Sequence, residues 1–356
     1  MRYAIELPAA GWHRSGDVRG AVARTLAMAR QADEAGFDTL WVSEDPDSWD
    51  AFAVLAAIAG VTERIRLGTA VVNPFLRHPA SIAASAATLD RLSDGRAVIG
   101  LGRGQSEWLR AGLGIACERP VAALEETVAL LRQWGAGEMA TSDGPFAVPG
   151  WRRSIPTVRG GGPPIYMAAM GDQALAVAGR TADGVIFNDL TSMPYMARAI
   201  GIVREAAVAA GRDPAALHFV ARPGLAVVND PVPVLRMYQR TLALISTLPG
   251  MAAGYELPGW DVPSMVAAAK AALGDACESA QHEGFTAIRR APGFEQACAA
   301  FPERFVDELG MCGDIVQIAR KVCMLQELGI SDLVIAARYL PRGVDWGHYL
   351  CALVGR

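Results

Sequence analysis

The chain has 356 residues, of which 52% are hydrophobic and 20% charged, as expected of a globular protein with one large α/β domain or two ordinary ones. The net charge is −4 and there is no run of Lys or Arg, which disfavours nucleic acid as a partner. The start, MRYAIELPAAGW, has neither the length nor the apolar character of a signal segment or a membrane span, so we expect a cytoplasmic protein without membrane partners. The six cysteines include no C-x-x-C pair and have no histidine at metal-binding spacing, so we predict no metal site.

Short apolar or β-branched runs alternate with amphipathic stretches along most of the chain. The first six runs are YAIEL, FDTLWVS, IRLGTAVV, AVIGLG, PIYMAA and GVIFN. A seventh run is LHFVARPGLAVVN at 217–229, and DIVQIARKVCMLQELGISDLVIAARY supplies a last helix followed by an eighth strand. Each run is typical of a buried parallel strand. Eight such strands alternating with helices predict a (β/α)8 TIM barrel, formed by a single domain over residues 1–356.

Two segments do not follow this repeat. Residues 137–163 are rich in Gly, Pro and Thr, which predicts an irregular excursion or a hairpin before the fifth strand. Residues from about 240 to 305 form an insertion that is longer than a βα connection requires. We expect this insertion to follow the seventh strand and to roof the active site; an oligomer contact is the alternative.

The candidate functional residues are those that directly follow the predicted strands, because the chemistry of a (β/α)8 barrel lies on these loops. They are Glu6, Glu44, Asp45, Asn73, Arg103, Gln105, Met170 and Asn188. The set contains acids, amides and one arginine, without a G-x-S-x-G elbow or a histidine dyad. It therefore favours chemistry carried by a bound cofactor over hydrolysis or metal-assisted chemistry.

The fourth strand ends in a glycine-rich turn, IGLGRGQSEW. Its glycines allow the backbone to approach a bound group, and Arg103 and Ser106 offer donors to a phosphate. The spacing lacks the third glycine of a dinucleotide fingerprint, and a tight turn with a solvent-facing Arg103 is the alternative. His78, which precedes Pro79, is expected to cap or pack at the start of a helix rather than to act in catalysis.

The stretch NPFLRHPASIAASAATLDRLSDGRAVIGLGRG resembles the signature of the luciferase-like flavin and deazaflavin oxidoreductases. IELP, with Glu6, is similar to the methylenetetrahydromethanopterin reductase branch, and PPIYMAAMGDQALAVAGRTADGVIFN resembles the fifth and sixth strands of the family. The likeness covers about residues 1–230 and the final helix and strand, but not the insertion. It implies a luciferase-like barrel, coenzyme F420 as the hydride carrier for a small organic substrate, and a homodimer.

The resemblance also implies which loops contact the cofactor. The third strand would contribute Asn73 and a non-prolyl cis peptide bond between Ala70 and Val71. The loops after the fourth and fifth strands would contribute Gly102, Arg103, Gly104, Gln105, Ala168, Ala169, Met170 and Gly171. A helix starting at Asp172 would direct free N–H groups towards phosphate, with Asp172 itself acting as a cap.

The same resemblance does not decide which residue donates the proton or which cofactor is bound. Gln105 stands where the reductase branch usually has an acid, so we expect Glu6 to donate the proton, with a pKa raised by burial. Glu44 or Asp45 could replace it, and the alternative for Glu6 is a structural carboxylate paired with an arginine or an amide. Luciferases have a similar Arg-Gly pair in which the arginine serves the flavin phosphate, so Arg103 keeps an FMN-dependent monooxygenase as an alternative. A barrel that binds a ligand without catalysis is the third possibility.

Overall fold

A computed structural model of the chain describes residues 1–7, 16–46, 49–155, 157–340 and 349. Eight parallel strands form a closed barrel, in which each strand pairs with its neighbours in chain order and the last pairs with the first. The strands are β1 (Arg2–Glu6), β2 (Thr39–Val42), β3 (Arg66–Thr69), β4 (Ala97–Leu101), β5 (Ile165–Met167), β6 (Gly184–Asp189), β7 (His218–Arg222) and β8 (Asp332–Ala336). The predicted (β/α)8 barrel is confirmed.

The helices are α1 (Val18–Glu34), α2 (Ala51–Ala59), α3 (Pro79–Leu92), α4 (Ser106–Leu113), α5 (Pro120–Gly135), α6 (Asp172–Thr181), α7 (Met193–Ala209), α8 (Val232–Ile245), α9 (Val262–Leu273), α10 (Ala276–Glu283), α11 (Phe285–Arg290), α12 (Phe294–Ala299), α13 (Glu303–Leu309) and α14 (Ile315–Leu328). Helices α1 to α3, α5 to α7 and α14 cover the outside of the barrel and bury the outward face of the strands in a shared hydrophobic core. Among the described residues, short 3-10 helices lie at Pro214–Ala216, Ala252–Tyr255 and Ala337–Tyr339. No helix in the described ranges combines the length and the apolar character needed to cross a membrane.

His78 has the structural role that the sequence favours. It is the N-cap residue of α3, and its Nδ1 accepts a hydrogen bond from the backbone N–H of Ala80 at 3.2 Å. Pro79 follows at the first helical position, where its missing N–H is not needed. The imidazole therefore satisfies one of the free donors at the helix start.

The interior of the barrel is filled by side chains. The rings of Trp41 and Tyr166 lie 5.9 Å apart, and both side chains are almost completely buried. Gly68 on β3 makes room for this packing, because a Cβ at that position would lie 2.3 Å from the Trp41 ring. A ligand therefore finds space at an end of the barrel rather than along its axis.

The seventh strand is shorter than predicted. β7 ends at Arg222, and Ala226–Val227 leaves the barrel to pair with Cys312–Gly313 in a separate two-stranded parallel sheet. The prediction of one strand over 217–229 is therefore wrong. Pro223 has no N–H for a ladder, and Gly224 has a φ of +69°, so the chain turns between the two strands.

Both segments that depart from the repeat contain regular elements. Met139–Ala140 and Trp151–Arg152 form a short antiparallel pair within 137–163. After β7, α8 to α13 build a helical layer over 232–309 with its own hydrophobic core. This core includes Leu190 and Tyr339, which follow β6 and β8, so the inserted helices pack against the C-terminal end of the barrel. That the whole chain forms a single domain stays a prediction.

Candidate active site

The N-terminal end of the barrel is closed by ion pairs between residues at the strand starts. Arg2 Nη2 lies 2.5 Å from Asp332 Oδ2, and Arg66 pairs with Asp38. His218 at the start of β7 accepts a hydrogen bond at its Nδ1 from Arg2 Nη2 at 2.6 Å. These contacts hold strands together and leave the C-terminal end, where the candidate residues lie, as the place for chemistry.

Glu6 is the last residue of β1 and is buried among arginines. Its Oε2 accepts hydrogen bonds from Arg222 Nη2 at 2.6 Å and from Arg338 Nη2 at 2.9 Å, and its Oε1 accepts one from Ser43 Oγ at 2.6 Å. Burial raises the pKa of Glu6, but the charges of the two arginines and the bonds from Ser43 and Arg338 outweigh it and lower the pKa to about 2.

The expectation of a raised pKa for Glu6 is therefore wrong. Burial alone disfavours the charged form, but two guanidinium groups at hydrogen-bond distance favour it more strongly. At neutral pH the carboxyl group is almost always ionised, so it is a poor source of the proton that the mechanism needs. The geometry fits the alternative, in which Glu6 is a buried carboxylate paired with arginine.

Asp189 completes a four-residue ion cluster with Glu6, Arg222 and Arg338. Arg222 Nε lies 3.2 Å from Asp189 Oδ1, and Arg338 Nη2 lies 2.7 Å from Asp189 Oδ2, so each arginine bridges both carboxylates. Asp189 and Arg222 end β6 and β7, and Arg338 follows β8. The sequence analysis missed these three residues, although the rule that selected Glu6 applies to them. The cluster, Glu6, Asp189, Arg222 and Arg338, is hereafter the ion cluster.

Glu44 has different partners from Glu6. Arg77 binds its carboxylate through two hydrogen bonds of 2.8 Å, and the backbone N–H of Ala51 donates to it at 2.9 Å. These contacts hold the loop after β2 against the start of α2. Asp45 is half-buried beside Glu44. A catalytic role for Glu44 or Asp45 stays a prediction.

The loops after β3, β4 and β5 lie close together at the C-terminal end of the barrel. The peptide bond between Ala70 and Val71 is cis, as the sequence resemblance implies. Gly102 lies next to Val71, since a Cβ at position 102 would be 2.4 Å from Cγ2 of Val71 and 3.6 Å from Cβ of Ala168. Val71, Gly102 and Ala168, which follow three consecutive strands, thus lie close together; we call them the small-residue shelf.

Asn73 fixes the turn that follows this shelf. Its Nδ2 donates to the carbonyl of Arg103 at 3.0 Å, and its Oδ1 accepts from the backbone N–H of Phe75 at 2.8 Å. Gly104 has a φ of +63°, and a Cβ there would lie 2.1 Å from Asn73 Nδ2. Asn73 and Gly104 thus belong to one rigid unit that links two loops.

Arg103 and Gln105 lie at the start of α4. Arg103 is half-buried, and its Nη2 donates an exposed hydrogen bond to the carbonyl of Pro249 at 3.3 Å. Gln105 is the N-cap residue of α4 and forms no side-chain capping bond. Arg103 therefore reaches the segment that follows α8, and its predicted contact with a cofactor phosphate stays a prediction.

The loop after β5 leads into α6. Ala169 is buried, and the hydroxyl of Tyr195 donates to the carbonyl of Met170. Gly171 is the N-cap residue and provides no side-chain cap, whereas Asp172 accepts a hydrogen bond from Arg198 at 2.7 Å. The expected capping role of Asp172 is wrong. Asp172 is the first residue within α6, and the N-cap position before it is occupied by Gly171. Because Gly171 has no side chain to cap the helix, the first backbone N–H groups of α6 suit an anionic group.

The model of the family described as luciferase-like monooxygenase matches residues 1–332. This chain belongs to the luciferase-like monooxygenase family. Among curated proteins, it is 32% identical over 224 residues to 5,10-methylenetetrahydromethanopterin reductase of Methanolobus tindarius, which covers 63% of this chain and 68% of the relative. It is 36% identical over 178 residues to F420-dependent glucose-6-phosphate dehydrogenase of Beutenbergia cavernae, covering 45% of this chain and 51% of that enzyme.

Solved structures of luciferase-like enzymes share the fold along the whole chain. The coenzyme F420 dependent tetrahydromethanopterin reductase of Methanopyrus kandleri superposes with a TM-score of 0.73 at 22% identity, over 99% of this chain and 97% of that one. The oxygenating constituent of 3,6-diketocamphane monooxygenase of Pseudomonas putida, in complex with FMN, gives a TM-score of 0.67 at 18% identity, over 100% and 97% of the two chains. At these identities the likeness shows the luciferase-like barrel, including the inserted region that the sequence resemblance did not reach.

Proposed function

We propose that this chain is an oxidoreductase that transfers hydride between coenzyme F420 and a small organic substrate at the C-terminal end of the barrel. The sequence relatives support this, since they are named as a methylenetetrahydromethanopterin reductase and an F420-dependent dehydrogenase. The observation that carries the proposal is the small-residue shelf, because it brings two apolar side chains and the bare backbone of Gly102 together, as a flat apolar ring system requires.

The residues around the shelf fit such a cofactor. A Cβ at Gly102 would lie 2.4 Å from Cγ2 of Val71, so only glycine allows Val71 to keep its position on the shelf. The uncapped start of α6 at Gly171 offers backbone N–H groups to a phosphate. When bound, a reduced deazaflavin supplies a hydride, and the protein supplies binding and orientation.

The ion cluster lies at the ends of β1, β6 and β7 and after β8, whereas the shelf lies at the ends of β3 to β5. Because the barrel is closed, these two groups of strands face each other across its mouth. Glu6 stays ionised and holds Arg222 and Arg338 in place, which is a positioning role. We therefore place the substrate between the shelf and the ion cluster.

An FMN-dependent monooxygenase is the second candidate. Arg103 favours it, because a guanidinium beside the glycine-rich turn suits a flavin phosphate, and a structural relative is in complex with FMN. The assembly that we propose is a homodimer in the cytoplasm, and this rests on the sequence resemblance and composition.

A titration of the purified protein with coenzyme F420 and, in parallel, with FMN distinguishes the candidates. We expect F420 to bind with micromolar or tighter affinity and FMN to bind at least tenfold more weakly, measured by fluorescence quenching. A yellow protein that copurifies with FMN would support the monooxygenase instead. Binding of neither cofactor would contradict both and support a barrel without redox chemistry.

A further inference from the structure

Tyr255 is a buried residue whose hydroxyl has no hydrogen-bond partner in the described part of the chain. It is 1% exposed and ends the 3-10 helix Ala252–Tyr255. Two other buried tyrosines nearby are satisfied: the Tyr238 hydroxyl donates to the carbonyl of Gly224, and the Tyr339 hydroxyl lies 3.0 Å from Thr241 Oγ1. A buried hydroxyl without a partner costs free energy, so a group that satisfies it when bound would recover that energy.

The segment that carries Tyr255 crosses the mouth of the barrel. Residues 247–255, which we call the strap, contact three strand-end loops in succession. The carbonyl of Pro249 accepts from Arg103 after β4, and a Cβ at Gly254 would lie 2.6 Å from Cε of Met170 after β5. The carbonyl of Gly254 accepts from the N–H of Ser192 after β6 at 2.8 Å.

Tyr255 packs in one hydrophobic cluster with Leu190 and Tyr339, which are the chain neighbours of Asp189 and Arg338 in the ion cluster. Burial raises the pKa of Tyr255 well above its usual value, and the nearby charge of Asp189 raises it further, while Arg222 lowers it. The hydroxyl therefore keeps its proton at all physiological pH values and is a permanent donor.

The charges at this side of the mouth decide what the hydroxyl can bind. The ion cluster contains two carboxylates and two guanidinium groups, and each arginine already bridges both acids. A carboxylate or phosphate would have to compete with Glu6 and Asp189 for the arginines and would lie close to two negative charges. An uncharged oxygen can accept a hydrogen bond from Tyr255 without disturbing this balance.

We propose that Tyr255 contacts the substrate and that its hydroxyl donates a hydrogen bond to an uncharged carbonyl or hydroxyl oxygen held under the strap. This names the substrate class of the proposed function, an uncharged ketone, aldehyde or alcohol, and rests on that function for the reaction. The contact itself depends only on the strap and the ion cluster, so it is testable without any cofactor.

The test compares Tyr255→Phe with Tyr238→Phe, a matched control that removes a buried hydroxyl whose partner is a backbone carbonyl. The probes are cyclohexanone and cyclohexanecarboxylate, which share a ring and differ in charge. Binding is measured by calorimetric titration of the cofactor-free protein and of the protein loaded with the cofactor that binds. The melting temperature of each cofactor-free variant is recorded as well.

We expect the wild type to bind cyclohexanone more tightly than the carboxylate, and Tyr255→Phe to weaken cyclohexanone binding about five- to tenfold without lowering the melting temperature. Tyr238→Phe should lower the melting temperature and leave cyclohexanone binding unchanged. Unchanged binding in Tyr255→Phe, tighter binding of the carboxylate, or no binding of cyclohexanone to the wild type would each overturn the proposal. Failure of F420 to bind, with the cyclohexanone results as expected, would refute the proposed function and leave the contact standing.

Discussion

Replacing Glu6 with Gln tests whether the ion cluster depends on its charge. The side chain keeps its volume and can still accept from Ser43, but Arg222 and Arg338 are left with Asp189 as their only carboxylate partner in the cluster. The pKa of Glu6 falls from 4.5 to about 2, and at 1.36 kcal/mol per unit this corresponds to about 3 kcal/mol of stabilisation. This value agrees with the general cost of breaking a buried ion pair, which is about 3–5 kcal/mol. We therefore expect Glu6→Gln to lower the free energy of unfolding by about 3 kcal/mol at pH 7.

The loss of unfolding free energy in Glu6→Gln should depend on pH in one direction only. A carboxyl group whose pKa is lowered on folding stabilises the protein above its unfolded pKa and loses that contribution as the pH falls through the folded pKa. The difference in the free energy of unfolding between wild type and Glu6→Gln should therefore be constant above about pH 5. It should become smaller as the pH falls from 4.5 towards 2. Urea unfolding followed by tryptophan fluorescence, repeated at several pH values, measures it.

The control for this experiment is Glu125→Gln, which removes a surface ion pair. Glu125 and its partner Arg180 are 42% and 41% exposed, so the loss should stay below about 1 kcal/mol and show little pH dependence. A loss of less than 1 kcal/mol in Glu6→Gln at pH 7, or a loss that grows as the pH falls, would refute the assignment of Glu6 as a permanently charged member of the cluster.

Two further predictions concern the proposed cofactor surface. Gly102→Ala places a methyl group 2.4 Å from Val71, so we expect at least a tenfold loss of F420 affinity in a fluorescence titration. Gly160→Ala, where a Cβ meets nothing within 4 Å, should bind F420 normally, and an equal loss in both variants would contradict the shelf. Arg103→Ala should weaken cofactor binding by about 1.5–3 kcal/mol if its guanidinium contacts a phosphate; unchanged affinity would leave Arg103 only its bond to Pro249.

The barrel could be predicted from the sequence because its signals are local. Each strand is a short apolar run and each connection an amphipathic helix, so the repeat is visible without knowing which strands pair. The strand ends were less predictable where backbone chemistry interrupts an apolar run. In 217–229 the Pro223–Gly224 pair divides the run, and its second half pairs with Cys312–Gly313, about 86 residues later along the chain (312 − 226).

The candidate site was only partly predictable. Asn73 and Gly102 were identified from strand-end position and family resemblance, and the structure brings their loops together. Tyr255 was missed because it lies in the inserted region, where the sequence offered neither a βα repeat nor a likeness. Its position depends on contacts of the strap with three separate loops, and none of these is encoded near residue 255.

Glu6 shows why a single buried acid is hard to interpret from sequence. Its burial follows from its place at the end of a barrel strand, and burial by itself raises the pKa of a carboxyl group. The arginines that reverse this effect lie 216 and 332 residues away in the chain, and only closure of the barrel through the pairing of β1 with β8 brings them to Glu6. Had the strand-end rule been applied to β7 and β8 as it was to β1, it would have placed two positive charges beside the acid. The charges around a barrel mouth, rather than the burial of one residue, therefore decide whether an acid at a strand end is protonated or is ionised and paired with arginine.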